Sequence, residues 1–268
     1  MYDLNKINDC LNTKDMGRTI IQYDRITSTF LKAKNIMATC PEGAVILAET
    51  QEKWSLRMGR EWVCIPDENI YLSIILKPLV NNHLTPIYDA IGCVCVCQAL
   101  NKLYNLSFKI KWPNDIIINE RKISSVSSNI INTNNNSGVI ITIGINVNTN
   151  KEELESNEDI KNIATSLIVE LKQEVDREAL IGEILNNVEY YYNELIYSKG
   201  ALQLLNLYNQ NSLIFNRTIE TMKKGKKTKR KVLAKYINQE GCLVVKNENG
   251  IEEILSPGDT LIKYEKDA

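Results

Sequence analysis

Lys111-Trp112-Pro113-Asn114-Asp115, residues 111–115, is the stretch from which the fold is read. Tryptophan and proline are costly choices for a plain hairpin turn, yet strand-like sequence lies on both sides. Residues 108–112, 116–118, 123–131 and 139–147 are rich in isoleucine, valine and aromatics. Pro113-Asn114, Asn119-Glu120 and the asparagine-rich 132–138 separate them. Consecutive short strands joined by short polar turns predict an antiparallel meander. A second compact signature, Gly144-Ile145-Asn146-Val147-Asn148, follows at its end.

Working outward, residues 85–104 have helical length, with Ile87, Ile91, Val94, Cys95 and Leu100 among the apolar positions. Upstream, 44–48 and 70–76 are apolar runs suited to buried strands, the second ended by Pro78. Residues 19–23 read as a further strand and 4–11 as a short amphipathic helix. Thr27 or Ser28 caps a helix over 31–37. Downstream, 160–171 and 177–197 return to helical spacing, with Leu180, Ile184, Val188 and Tyr191 on one face. Beyond Phe215 the pattern changes to short strands at 218–222, 231–237, 242–245, 252–255 and 260–264, separated by turns at Gly241, Gly250 and Gly258, which describes a small barrel. The expected architecture is α+β, with a unit over 1–212 and a small β unit over 213–268.

Composition narrows the functions. Lys and Arg number 32 against 33 Asp and Glu, a net charge of −1, so there is no global attraction to nucleic acid. No apolar run approaches the roughly 18–20 residues that cross a bilayer, and the first residues lack a leader's apolar stretch. A cytoplasmic protein with no membrane partner is expected, and the seven cysteines read as reduced thiols. His83 is the only histidine, which excludes a multi-histidine zinc site and leaves it a loop residue. Cys93, Cys95 and Cys97, stepped around a helix, read as buried small hydrophobes rather than metal ligands. No dedicated metal site is expected.

Neither G-x-x-x-x-G-K-[ST] nor G-x-G-x-x-G occurs, so any phosphates must be held by side chains. Residues 49–62, ETQEKWSLRMGREW, lack strand alternation and read as a functional loop carrying Arg57 and Arg60 before Trp62. Lys111 and Lys122 supply further cations, because charge-assisted bonds to an anion are stronger than neutral ones. Asn114 and Asp115 follow a proline and are expected in an exposed turn, offering an amide or a magnesium-binding carboxylate. The basic run 223–231, KKGKKTKRK, reads as a solvated hairpin tip, with phosphate contact to RNA or DNA as the alternative.

In this order the segments resemble the biotin-protein ligases, over nearly the whole chain. The resemblance runs from Thr27-Ser28-Thr29 through Ala48-Glu49-Thr50-Gln51, Arg57, Arg60, Trp62, KWPND, Arg121-Lys122-Ile123 and GINVN to Ala164-Thr165-Ser166-Leu167. It implies a mixed sheet flanked by helices, an SH3-like C-terminal barrel, and an enzyme that converts biotin and MgATP to biotinyl-adenylate before passing the acyl group to a lysine of a biotin carboxyl carrier protein. The form implied lacks an N-terminal DNA-binding helix-turn-helix, and a homodimer is a family habit. By the same match, Lys122 contacts the carboxylate and α-phosphate, with Arg57 and Lys111 as further catalytic cations. Ser28, Thr29 and Gln51 bond biotin's polar ring. Arg60, Trp62, Asn114, Asp115 and Asn146 lie on the nucleotide side.

Departures cluster on the acid-binding side. Trp54-Ser55-Leu56-Arg57 stands where the family has Gly-Arg-Gly-Arg, and Ser125 and Thr142 stand where it has glycines that border the biotin pocket. Trp54, Ser125 and Thr142 are therefore expected to line the acid site. Two further readings stay open: adenylation of a different small carboxylic acid, or binding of ligand or carrier with little turnover.

Overall fold

Residues 70–76, Ile-Tyr-Leu-Ser-Ile-Ile-Leu, are buried at every position, which requires a strand covered on both faces. The computed structural model describes residues 1–52, 68–78, 85–133, 136–158, 160–197, 201–226 and 228–264. It places this strand, β3 (Ile70–Leu76), near the centre of a seven-stranded sheet. The others are β1 (Ile20–Ile26), β2 (Val45–Gln51), β4 (Lys109–Lys111), β5 (Asp115–Ile118), β6 (Arg121–Thr133) and β7 (Asn136–Ile145), in the order β1-β2-β3-β7-β6-β5-β4. β1 pairs parallel to β2 and every other pair is antiparallel, so the sheet is mixed and its second half is the expected meander.

Alternation along the strands divides the apolar residues between two covers. On one face Leu72, Ile74, Val126, Ile141 and Ile143 pack with α3 (Thr85–Tyr104) and α6 (Arg177–Tyr197), against which α1 (Leu4–Cys10) also lies. On the other, Ile46, Ile75 and Ile140 meet Ala33 and Met37 beneath the shorter α2 (Thr29–Ile36). Cys93, Cys95 and Cys97 are fully buried in α3, and burial pushes the Cys97 thiol up to about 12, so these thiols stay protonated and inert.

The stretch 160–171 is not one helix. Ser166 takes the cap position, its hydroxyl accepting from Val169 N at 3.4 Å, and only α5 (Leu167–Leu171) is helical. A capping box between Asn150 and Glu153 starts an earlier helix, α4 (Lys151–Ser156), and a further helix, α7 (Leu202–Asn211), buries Leu204, Leu205 and Tyr208. Cap chemistry set these boundaries where apolar spacing alone misplaced them.

Five antiparallel strands form the second sheet: β8 (Thr218–Lys223), β9 (Lys229–Ile237), β10 (Leu243–Lys246), β11 (Glu252–Leu255) and β12 (Thr260–Tyr264), in the order β11-β10-β9-β8-β12. Its inward residues Ile219, Val232, Ala234, Ile237, Leu243, Val245 and Leu255 belong to the same apolar cluster as the α3 face of the large sheet. Gly241 turns with φ +77°, and a Cβ there would lie 2.5 Å from the Pro86 carbonyl carbon at the start of α3. Only glycine fits so close an approach. In the basic run, Lys229 meets Glu220 at 3.3 Å and Arg230 meets Glu253 at 2.6 Å, which favours the solvated hairpin. Lys227 lies outside the described residues. Among those described, no helix is long and apolar enough to cross a membrane.

Glu189 on α6 ties down the segment before β1, accepting from the backbone N–H groups of Lys14, Asp15 and Met16 at 2.6, 2.8 and 2.9 Å. Burial pushes its carboxyl up, but the three donors outweigh that and hold it below the usual carboxylate range. A carboxyl depressed on folding stabilises above its unfolded value, and that contribution is lost as pH falls through the folded one. Glu189→Gln is therefore expected to lower Tm near neutral pH, with the gap to wild type closing on acidification. Thermal melts from pH 7 to pH 3 check this, and a gap independent of pH would contradict it.

Candidate active site

Residues directly opposed in an antiparallel ladder share a face. Read across the strands, the pairings set Ala48, Tyr71, Gly144, Ser125, Asp115 and Lys111 in one transverse row. Ile46, Ser73, Thr142 and Ser127 form the next. Ile46 lies under α2, so both rows are on the α2 face. They turn polar where α2 begins.

Ser28 caps α2 through its hydroxyl, and Thr29, the first helical residue, is fully buried. The Thr29 N–H donates to Gln51 Oε1 at 3.2 Å and its hydroxyl approaches the same oxygen at 3.4 Å. Ser73 Oγ donates to Thr29 Oγ1 at 3.0 Å and lies 2.9 Å from Thr142 Oγ1. With the Ser73 proton committed to Thr29, Thr142 is the donor to Ser73. The hydroxyl protons thus run from Thr142 through Ser73 and Thr29 to the Gln51 carbonyl. That direction fixes the amide orientation. Gln51 Nε2 is left buried with no hydrogen-bond partner among the described residues. A buried, unsatisfied donor at the end of a satisfied chain is poised for an acceptor oxygen on a ligand.

Farther along the face lies the charge. Lys122 Nζ is 3.5 Å from Asp115 Oδ1, and the Ser125 hydroxyl donates to that oxygen at 2.9 Å. The Lys122 main chain is fixed independently, its N–H donating to Ile163 O at 2.7 Å and its carbonyl accepting from Thr165 N at 2.9 Å. Glu170 braces the same hairpin, its Oε1 accepting from Arg121 at 2.7 Å and its Oε2 from Asn119 at 2.7 Å. Lys111 stands opposite Asp115 in register.

Asn114 is not in an exposed turn as expected. It is 8% exposed, and its side-chain amide donates to the Val126 carbonyl while its own carbonyl accepts from Val126 N at 2.9 Å. The turn folds back onto β6, which covers it. Asn146 is likewise buried, donating through Nδ2 to Thr165 O at 3.0 Å. Trp54, Arg57, Arg60, Trp62 and His83 lie outside the described residues. Among those that are described, the structure brings Thr29, Gln51 and Thr142 into one network and Lys122, Asp115 and Ser125 into another. Ser73, which links the first, was not read from sequence. Its signal is a single serine in a strand of aliphatic and aromatic residues.

Comparison with known proteins agrees with this architecture. Residues 20–146 match the model of the biotin/lipoate A/B protein ligase family. The chain is 30% identical over 253 residues to the bifunctional ligase/repressor BirA of Bacillus spizizenii, an alignment covering 92% of this chain and 75% of that protein. The fold is similar to the biotin protein ligase of Aquifex aeolicus solved in complex with biotin and ATP, at a TM-score of 0.78, 22% identity, and 92% and 100% of the two chains. It is also similar to the Leishmania major biotin protein ligase in complex with biotinyl-5-AMP, at a TM-score of 0.59, 20% identity, and 89% and 99%. With the mixed sheet, the KWPND turn beside Lys122 and a relative 30% identical over 92% of this chain in agreement, the chain belongs to the biotin-protein ligase family.

Proposed function

We propose that this protein is an ATP-dependent ligase that activates biotin as biotinyl-AMP and transfers it to a lysine of a biotin carboxyl carrier protein. One observation carries the choice of acid: the unsatisfied Gln51 Nε2 at the end of the chain from Thr142. Biotin's ureido group offers a carbonyl acceptor and two N–H donors on a rigid ring. The carbonyl suits Gln51 Nε2, and the N–H groups suit lone pairs on the Ser28 and Thr29 hydroxyls. A purely aliphatic acid leaves that donor unpaired, and a site built for a hydrogen bond discriminates strongly against analogues lacking it. A loosely selective ligase for another acid is favoured by no comparable feature.

The reaction is attack of the biotin carboxylate on the α-phosphate of ATP, releasing pyrophosphate, followed by attack of the carrier amine on the acyl carbon of the mixed anhydride, which breaks its bond to the phosphate oxygen and releases AMP and a proton. Two anions must be brought together, so positioning and cationic charge dominate catalysis. Lys122 is the cation placed for the carboxylate and α-phosphate, with Lys111 beyond Asp115 and Arg57 and Arg60 holding phosphates. Among the described residues no group of three or more His, Cys, Asp or Glu could hold a metal. Asp115 fits magnesium carried by ATP, an ion held largely by substrate phosphates and one or two carboxylates. Asn114, Asn146 and Trp62 complete the nucleotide side. The β1 edge of the large sheet is where a second copy would pair, since the β4 edge is bridged by Ser212 and Leu213.

The test is mass-spectrometric detection of acyl-adenylate after incubation with MgATP and biotin, lipoate or octanoate. Biotinyl-AMP is expected to predominate, and another adenylate or none would overturn the assignment. In Gln51→Glu, which loses the donor and adds a charge, the KM for biotin is expected to rise about 10²-fold or more. An unchanged KM would remove Gln51 from ureido recognition.

A further inference from the structure

We propose that Glu170 is a positioning residue for adenylate formation, its one carboxylate tying the hairpin that carries Lys122 to the segment 163–165 so that Lys122 and Asn146 are set in place together; the inference rests on the ligase reading above. β5 and β6 are joined by a two-residue turn, Asn119 and Glu120, with φ of 46° and 63°, and Ile118 pairs with Arg121 across it. Such a turn sets the register of the hairpin but not its place against its neighbours. That place depends on an isolated bridge between Lys122 and Ala164, made by the Lys122 N–H to Ile163 O and the Thr165 N–H to Lys122 O. Glu170, on α5, faces this joint with a side chain only 6% exposed. Its Oε1 accepts from Arg121 at 2.7 Å and from the Thr165 hydroxyl at 2.5 Å, and its Oε2 accepts from Asn119 at 2.7 Å. The carboxylate therefore grips both sides of the joint, through bonds strengthened by its charge. Thr165 carries the constraint onward, since its carbonyl accepts from Asn146 Nδ2 at 3.0 Å. The network of Thr29, Ser73, Thr142 and Gln51 shares none of these contacts.

Glu170→Gln keeps the shape but offers one acceptor oxygen to three donors and turns an NH2 on the rest. It is expected to lower kcat for biotinyl-AMP formation about ten-fold, since small displacements of a reacting group are costly. The KM for biotin should change little, because the ureido end is held elsewhere. Rates are compared well below the Tm of each variant. In a Lys122→Ala background the Glu170→Gln step should cost much less, because the cation it places is gone, whereas a purely structural role would cost the same in both. Thr165→Val, which removes only the hydroxyl, is expected to fall between wild type and Glu170→Gln and to add nothing to the latter. Wild-type kcat in Glu170→Gln, a matching rise in the KM for biotin, or an equal loss in both backgrounds overturns the proposal. Hydrogen exchange followed by mass spectrometry requires no turnover. Faster exchange of the Lys122 and Thr165 amides in Glu170→Gln supports the tie, and unchanged exchange refutes it. If wild type forms no adenylate, the ligase reading fails, and the exchange result alone decides whether Glu170 holds the joint.

Discussion

Replacing Lys122 with alanine is expected to lower adenylate formation by about 10² to 10³ or more while leaving the protein folded, because a charged contact made at the developing transition state contributes on that scale. The two effects separate because the main chain and side chain of Lys122 do different things. Its backbone bonds to Ile163 and Thr165 hold β6 to the segment before α5 and survive the substitution. Its side chain, 20% exposed, lies 3.5 Å from Asp115 Oδ1. That contact is a partly exposed pair and adds little to stability. Pyrophosphate release and biotinyl-AMP yield measure the loss, and a thermal melt verifies the fold. Adenylate formation at the wild-type rate in Lys122→Ala would remove the residue from the mechanism. Lys122→Arg is expected to fall between, because a planar guanidinium keeps the charge but not the compact geometry.

The second large effect is on stability. Glu49, on β2 two residues before Gln51, is 1% exposed and receives Arg177 of α6 at 2.7 Å. Arg177 also donates to the Asn69 carbonyl at 3.1 Å and stacks over the Tyr2 ring, 4.3 Å from its centroid. Burial pushes the guanidinium down, but the Glu49 hydrogen bond and neighbouring charges outweigh it, so its pKa lies above the ordinary value. Arg177→Met leaves a buried carboxylate without its main partner, a situation that costs about 3–5 kcal/mol. The Met1 ammonium, 3.3 Å from Glu49 Oε1, offsets part of it. A fall in Tm on the order of 10 °C is expected. Adding Glu49→Gln should recover part of the loss, since the orphaned charge is then gone. A double variant as unstable as the sum of the singles would show that the pair is not coupled. Because Glu49 and Gln51 share one strand end, the single variant should also weaken biotin binding.

Elements marked by helical apolar spacing, by an unbroken apolar run or by flanking turn residues were legible. Residues 70–76, 85–104, 177–197 and 260–264 form elements with the bounds read from sequence. The short helices α4 and α5 were not, since five or six residues hold too little periodicity and their starts depend on Asn150 and Ser166 as caps. At the site, Gln51, Thr29 and Lys122 were reached through the family resemblance. Ser73 was hidden because its partner Thr29 is 44 residues distant, and β3 is buried on both faces and so does not alternate. Asn114 misled for a related reason: proline announces a turn, but only tertiary contact decides whether that turn is covered. The proposed division near residue 213 was read from a change of pattern along the chain.

That division belongs to the chain and not to the core. The inward residues of the second sheet join the apolar cluster around α3, Leu213 N bonds Ile110 O at 2.8 Å, and the Gly241 turn rests on Pro86. A cut at the division would leave each fragment an open apolar wall. The small sheet thus buttresses the large one, its inward face sharing the apolar cluster around α3.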